Sequence, residues 1–211
     1  MTKKEMITKG LTIKHSGKME GMVSFSTNTA NNPFCNKMRS IEGCICSKCY
    51  AYTMTRRFSK GFSNKLDANG WIKTEVLEKK DVPFINASYF RFEAFGELET
   101  FTQLLNYLTI AKYNPHCNFA LWTKRVDFIY CLDLDHKPKN VNIIVSSPTM
   151  NKQLQLTDKI KSKVDGVFTV YDKSTVDSEG IPINCGSRKC VECLACYKKS
   201  KTFKVINELV K

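Results

Sequence analysis

The run FTQLLNYLTIAKYNPHCNFALWT, residues 101–123, holds a helix, a stop signal and a strand. Phe101, Leu104, Leu105, Leu108 and Ala111 recur at the i, i+3, i+4, i+7 spacing that lines one helical face. Asn114-Pro115 ends that helix, because the residue before a proline is pushed out of the helical region. Residues 118–123, short, apolar and aromatic, then predict a strand. The same alternation extends both ways. Upstream, residues 22–27 predict a first strand running into the turn-rich NTANNP at 28–33. Helical segments are expected at 47–59 and 63–80, and PFINASYFRF at 83–92 reads as a strand covered on both faces. Downstream come a helix at 125–134, a strand at 141–147, a short helix after Pro148 and a strand at 166–171. A last helix is expected at 198–210, with Phe203, Ile206 and Leu209 inward and its lysines outward.

Strands alternating with helices imply βαβ units and a parallel sheet. The fold predicted is therefore α/β: a partial (β/α) barrel or an open parallel sheet of five to six βα units, with a cysteine-rich C-terminal extension. Residues 1–175 are expected to form the partial barrel carrying a first cysteine cluster. Residues 176–211 are expected to form a cysteine-rich tail and C-terminal helix packed on it. In such folds ligands gather at the carboxyl ends of the strands. That rule brings the first cysteines, Glu93-Ala94-Phe95-Gly96-Glu97, Thr123-Lys124-Arg125, Ser146-Ser147 and Asp172-Lys173 to one shared mouth. Asn86 and Ser88 are expected in the barrel interior or in local hydrogen bonds.

Eight of the ten cysteines fall into two sets: Cys35, Cys44, Cys46, Cys49 and Cys185, Cys190, Cys193, Cys196. This density exceeds what cysteine as a small buried apolar residue would produce. Thiols so gathered form disulfides, bind zinc or hold iron–sulfur clusters. A 211-residue chain buries enough surface to need no staples. Its opening, MTKKEMITKG, is charged with no apolar run, unlike a secretory signal. A cytoplasmic protein with reduced thiols is the expectation, which leaves metal. No stretch approaches the ~20 apolar residues of a membrane span, so no membrane partner is expected. Cys190-x2-Cys193-x2-Cys196, with Cys185 five residues earlier, matches the compact spacing that wraps an iron–sulfur cube. Zinc, drawing one pair from each end, is the alternative. Cys117 and Cys131 read as core thiols, and His15, His116 and His136 as surface residues.

The net charge of +13 divides unevenly: +9 in residues 1–65, +5 in 185–211 and −1 between. The excess travels with the cysteines. It is either a nucleic-acid footprint at the basic ends or local compensation of thiolate charge.

Cys46-Ser47-Lys48-Cys49-Tyr50-Ala51, Phe90-Arg91-Phe92 with Gly96-Glu97, and Trp122-Thr123-Lys124-Arg125 follow in an order that resembles phage proteins related to the radical S-adenosylmethionine (SAM) fold. The group they resemble is the phage "gene product 88" family. The resemblance spans about Pro33 to Arg125 and implies an iron–sulfur cluster in a partial barrel, with SAM at an open iron. It departs from the usual Cys-x3-Cys-x2-Cys at position 42, which is Glu42. Cys35 or Cys44 is then the third ligand, and four sulfurs on one cluster would leave no iron open. An acidic residue at a strand end, Glu97 beside Gly96, could hold the SAM amino group, with Arg91 on its carboxylate. Capping of a helix start by Glu97 and Glu99 is the competing reading.

Three functions follow. The first is a radical SAM-type enzyme with a second, C-terminal [4Fe–4S] cluster for electron transfer from an outside donor or for substrate binding. Ser147, Tyr171 and Asp172 would line its pocket. The second is a non-catalytic iron–sulfur protein with a structural or redox role. The third is a zinc-stabilised nucleic-acid-binding protein using the basic ends and Tyr50, Tyr52 and Phe58.

Overall fold

A computed structural model describes residues 1–57 and 60–210. The chain opens with helix α1 (Lys3–Gly10), capped by Thr2 and Glu5, and the short strand β1 (Thr12–Ile13). Strand β2 (Val23–Phe25), helices α2 (Pro33–Arg39), α3 (Tyr50–Arg57) and α4 (Lys60–Ala68), and strand β3 (Tyr89–Phe92) follow. Helix α5 (Phe101–Lys112) leads to strand β4 (Asn118–Thr123), helix α6 (Val126–Cys131), strand β5 (Val141–Ser146), helix α7 (Asp158–Lys161) and strand β6 (Gly166–Tyr171). Helix α8 (Lys173–Glu179), the single turn α9 (Cys190–Cys193) and strand β7 (Lys204–Leu209) complete it.

The strands form one seven-stranded sheet in the order β1-β2-β3-β4-β5-β6-β7. β1 is antiparallel to β2, and every later neighbour is parallel. The strand order never reverses, so the sheet has no switch-point crevice and the row of strand carboxyl ends is its candidate site edge. Of the two architectures expected, the pairings establish the open, mostly parallel sheet. Among the described residues none joins β7 back to β1.

Alternation along the strands divides their side chains between two faces. Phe25, Phe90, Phe92, Phe119, Leu121, Val141, Ile143 and Val145 enter one core with Leu104, Tyr107, Leu108 and Ala111 of α5. Phe92 stacks between Tyr107 and Phe119, at 4.3 and 5.3 Å between ring centroids. The opposite face carries Arg91, Ala120, Trp122, Ile144, Phe168 and Ile206. Residues of the cysteine-rich tail cover it: Cys190, Leu194, Cys196 and Tyr197 pack on Ala120 and Trp122, and Cys185 and Cys196 on Ile144, Phe168 and Ile206.

The helix expected at 198–210 is instead strand β7, pairing with β6 from Gly166↔Lys204 to Tyr171↔Leu209. Phe203, Ile206 and Leu209 fit a helical stripe, but an open parallel edge on β6 offers a row of unpaired backbone groups that a strand satisfies. Gly166 permits the approach, since a Cβ there would lie 2.5 Å from the Lys204 carbonyl oxygen. The segment expected as a strand at 83–92 pairs only at Tyr89–Phe92; Asn86 and Ser88 are exposed rather than interior. Helix 63–80 breaks at Ala68, after which come short 3-10 turns at Gly70–Lys73 and Lys79–Asp81. Cys117 is buried, as expected, but Cys131 is exposed. It sits at the end of a helix of one and a half turns that buries Ile129 toward the core. The three histidines are exposed. Among the described residues no helix is long and apolar enough to cross a membrane.

Candidate metal centres

The first cysteine set is fastened to the carboxyl ends of β3 and β5. Asn32 caps α2, its Oδ1 accepting from the Cys35 amide at 3.1 Å, while its Nδ2 donates to the Glu97 carbonyl at 2.9 Å. Pro33 in the first turn suits a position whose amide would be unpaired anyway. One asparagine therefore sets Cys35 against the loop after β3. Cys44 pairs with Thr149, and the Ile45 amide donates to the Pro148 carbonyl at 2.9 Å, which draws the loop over the end of β5. The 3-10 turn Ile45–Lys48 presents Cys46 and Cys49, and the Tyr50 hydroxyl donates to the Ala94 carbonyl at 2.8 Å.

Lys124, the first residue past β4, is half-buried and feels the charges of Cys46, Glu97, Cys49 and Cys35. Desolvation opposes its charge, but these acidic neighbours together hold its pKa above the ordinary value. Burial pushes the Cys35 and Cys46 thiols up to about 12. Thiols so disfavoured as thiolates are poor nucleophiles. A bound metal would strip such protons outright.

The loop between β3 and α5 carries two buried carboxyls. Glu97 accepts from the Thr123 hydroxyl at 2.5 Å, the Lys124 amide at 2.8 Å and the Leu98 amide at 2.9 Å. It ties β3 to β4, and burial raises its pKa. Glu93, which the sequence reading did not single out, has a left-handed backbone (φ 52). Its carboxyl accepts from Gln103 Nε2 at 2.7 Å, the Thr27 backbone amide at 3.1 Å and the Tyr107 hydroxyl. Desolvation raises its pKa to about 7. Gly96 makes room for this network: a Cβ there would fall 2.0 Å from Glu93 Oε2 and 2.8 Å from the Thr27 carbonyl oxygen. Gly96→Ala is expected to cost about 1–3 kcal/mol in urea unfolding through overpacking of a buried polar network.

The second set lies on the sheet face opposite the main core. Cys190 and Cys193 begin and end the single turn α9, and Leu194, left-handed at φ 53, turns the chain so that Cys196 and Tyr197 return to the sheet. The Tyr197 carbonyl accepts from Asn142 Nδ2 at 2.5 Å. Cys185 lies against Glu208 of β7. Lys18 Nζ, 167 residues away in sequence, donates to Cys185 Sγ and to Glu208 Oε1, both at 2.9 Å. The Lys18 carbonyl accepts from the Cys190 amide at 2.7 Å, and Arg188 reaches Cys193 Sγ at 3.9 Å. Burial pushes the Cys196 thiol up to about 12 and raises Cys190, while the charge of Arg91 draws both back down.

The eight cysteines of the two sets are free thiols. Among the described residues no three His, Cys, Asp or Glu side chains close on a point that would seat a single metal ion. The donor chemistry fits a sulfur-ligated cluster: soft sulfurs, cationic N–H donors beside both sets, and no competing disulfide.

The structure separates the predicted cofactor-binding residues. Gly96 and Glu97 stand beside the first set. Arg91 turns to the second, its guanidinium 4.1 Å over the Trp122 ring. Ser147 donates to the carbonyls of Thr149 and Lys152, which holds its own loop together. Asp172 caps α8 by accepting from the Thr175 amide at 2.8 Å. Of the aromatics proposed for nucleic acid, Tyr52 lies under Arg39, 3.8 Å from the ring, and Phe58 lies outside the described residues. Lys18 gave no signal in the sequence. Trp122 gave one, its alternation with Phe119 and Leu121, which places it on the face opposite theirs.

Residues 1–208 match the family described as Gene product 88. No curated protein and no solved structure matches the chain.

Proposed function

We propose that this chain, which belongs to the Gene product 88 family, is an iron–sulfur protein with a three-cysteine site at the strand ends and a closed four-cysteine site on the face of the sheet. The observation that carries this is the placement of the first set: Asn32 ties the Cys35 amide to the Glu97 carbonyl, and the turn Ile45–Lys48 with its cap presents Cys46 and Cys49 beside it. Lys124 responds to those three sulfurs and to Glu97, and Cys35 responds to Cys46, Cys49 and Glu97. Cys44 is buried, its backbone pairs with Thr149, its sulfur accepts from the Cys46 amide at 3.5 Å and its charge acts on Cys46 ahead of that of Cys49, which makes it the alternative third ligand. Three ligands on a four-iron cluster leave one iron free for an outside chelator. SAM, with adjacent amino and carboxylate groups, is the chelator that the resemblance implies. Bound there, it would supply radical chemistry; the chain's own residues hold the site, with Lys124 offsetting its negative charge and the loop after β3 walling it.

The strands run in sequence order with every pair after β1–β2 parallel, so the open sheet gathers its strand carboxyl ends along one edge, where the first set sits. The basic ends fit charge compensation, since Lys18 and Arg188 face sulfurs of the second set, while Lys124 of the middle stretch serves the first. Comparing Cys35→Ala with Cys44→Ala tests the reading. The expected result is loss of one cluster's iron from Cys35→Ala, full iron in Cys44→Ala, and a change in the reduced wild-type EPR spectrum on adding SAM. Equal iron loss in both variants, with a spectrum indifferent to SAM, would mark a closed four-sulfur site and a non-catalytic protein.

A further inference from the structure

Three hydrogen-bond donors are buried without an acceptor around the second cysteine set. Arg91 Nε, Trp122 Nε1 and the Tyr197 hydroxyl donate to no acceptor, although the Arg91 guanidinium lies close enough to the Tyr197 oxygen to act on it. Buried donors left unpaired cost about 1–3 kcal/mol each, so three in one place call for an acceptor. They do share one place. The Arg91 guanidinium lies 4.1 Å over the Trp122 ring, and Tyr197, Trp122, Cys190 and Cys196 belong to one packed cluster. Trp122 and Cys185 also both pack against the adjoining cluster of Ile144, Phe168 and Ile206. Each is held from behind: Arg91 and Trp122 by strand pairing, Tyr197 by Asn142 on its carbonyl. Lys18 already donates to Cys185 at 2.9 Å. Neutral thiols are weak acceptors, whereas thiolates and sulfides of a cluster accept N–H and O–H bonds well.

Resting on the reading that Cys185, Cys190, Cys193 and Cys196 hold an iron–sulfur cluster, we propose that Arg91, Trp122, Tyr197 and Lys18 donate to its sulfurs and raise its reduction potential. Reduction moves one electron from an outside reductant onto the cluster, with no proton transferred and no bond broken. The added negative charge strengthens every one of these hydrogen bonds and its attraction to two cations, so the reduced form is favoured. The four donors position and tune the cluster; they touch no reacting substrate.

The test is an EPR-monitored dithionite titration of the full-length chain carrying Cys46→Ala and Cys49→Ala, which isolates the second cluster. Trp122→Phe keeps the ring and removes its donor; Arg91→Gln removes the charge. Each is expected to lower the reduced-to-oxidised ratio at fixed potential by about tenfold, a downward shift of ~59 mV for one electron. Arg91→Lys, which keeps the charge, should recover part of it. Should Trp122→Phe destabilise the chain, Lys18→Met gives the same readout from the half-buried edge of the set. Full iron loading with unchanged midpoints in the variants would overturn this inference and leave the cluster reading intact. A second set that takes up no iron and sulfide would overturn both.

Discussion

Cys196→Ser is expected to lower stability by more than about 3 kcal/mol in anaerobic urea unfolding, the largest effect of any single cysteine change in the tail. Cys196 packs against both apolar clusters on that face of the sheet, with Trp122 and Tyr197 on one side and Ile144, Phe168 and Ile206 on the other. A serine hydroxyl among these residues costs about 1–3 kcal/mol if unpaired. Loss of a cluster ligand adds to that, because the free energy of metal binding by a folded site is folding free energy. Removing metal from the wild-type chain with a chelator should reproduce most of the loss. Cys131→Ser, on an exposed thiol at the end of α6, should change stability by less than about 0.5 kcal/mol. A Cys196→Ser protein as stable as wild type would mean that the tail covers the sheet without metal.

The second large effect is a fall in stability as pH rises from about 4.5 to about 7, removed by Glu93→Gln. Glu93 is buried, and desolvation moves its pKa from 4.5 to about 7. A carboxyl with a raised pKa in the folded state binds its proton more tightly there than in the unfolded chain. Its contribution is therefore fully present below about 4.5 and lost as pH rises to about 7. The span corresponds to ~3 kcal/mol, an order-of-magnitude figure for a group with several hydrogen bonds. Asp165 and Asp127, whose pKa values are lowered by Lys137 and Arg125, act with the opposite sign at lower pH. The difference between wild type and Glu93→Gln isolates Glu93. Glutamine keeps an acceptor for Tyr107 and Thr27 and stays neutral throughout. Parallel stability profiles for the two proteins would show that Glu93 does not titrate in that range.

Much of the fold was legible where local pattern and tertiary demand agree. Residues 118–123 and 166–171 are strands with the bounds expected, because β-branched and aromatic runs bounded by turns have no competing period. Helix α5 is where its 3.6-residue stripe put it. The pattern failed at 198–210, where a stripe compatible with a helix lost to the open edge of β6. It also failed at 83–88, where apolar composition was read as pairing although Tyr89 is the first residue to pair. Both cysteine sets were visible as sets. Their surroundings were not: Lys18 meets Cys185 across 167 residues, and no local rule announces that contact. Arg91 was assigned to the strand-end mouth, but period two along β3 turns it, with Tyr89, to the face that the tail covers. Glu93 was placed at the mouth with its neighbours but had no role of its own in the sequence, because that role depends on Gly96 leaving space and on Tyr107 arriving from α5.

The central claim is that sulfurs at both ends hold iron–sulfur clusters, and iron and acid-labile sulfide content of the anaerobically purified full-length protein tests it most directly. Two four-iron clusters predict a brown protein with iron and sulfide in equal amounts, about eight of each per chain. A colourless protein with stoichiometric zinc and no sulfide would contradict it.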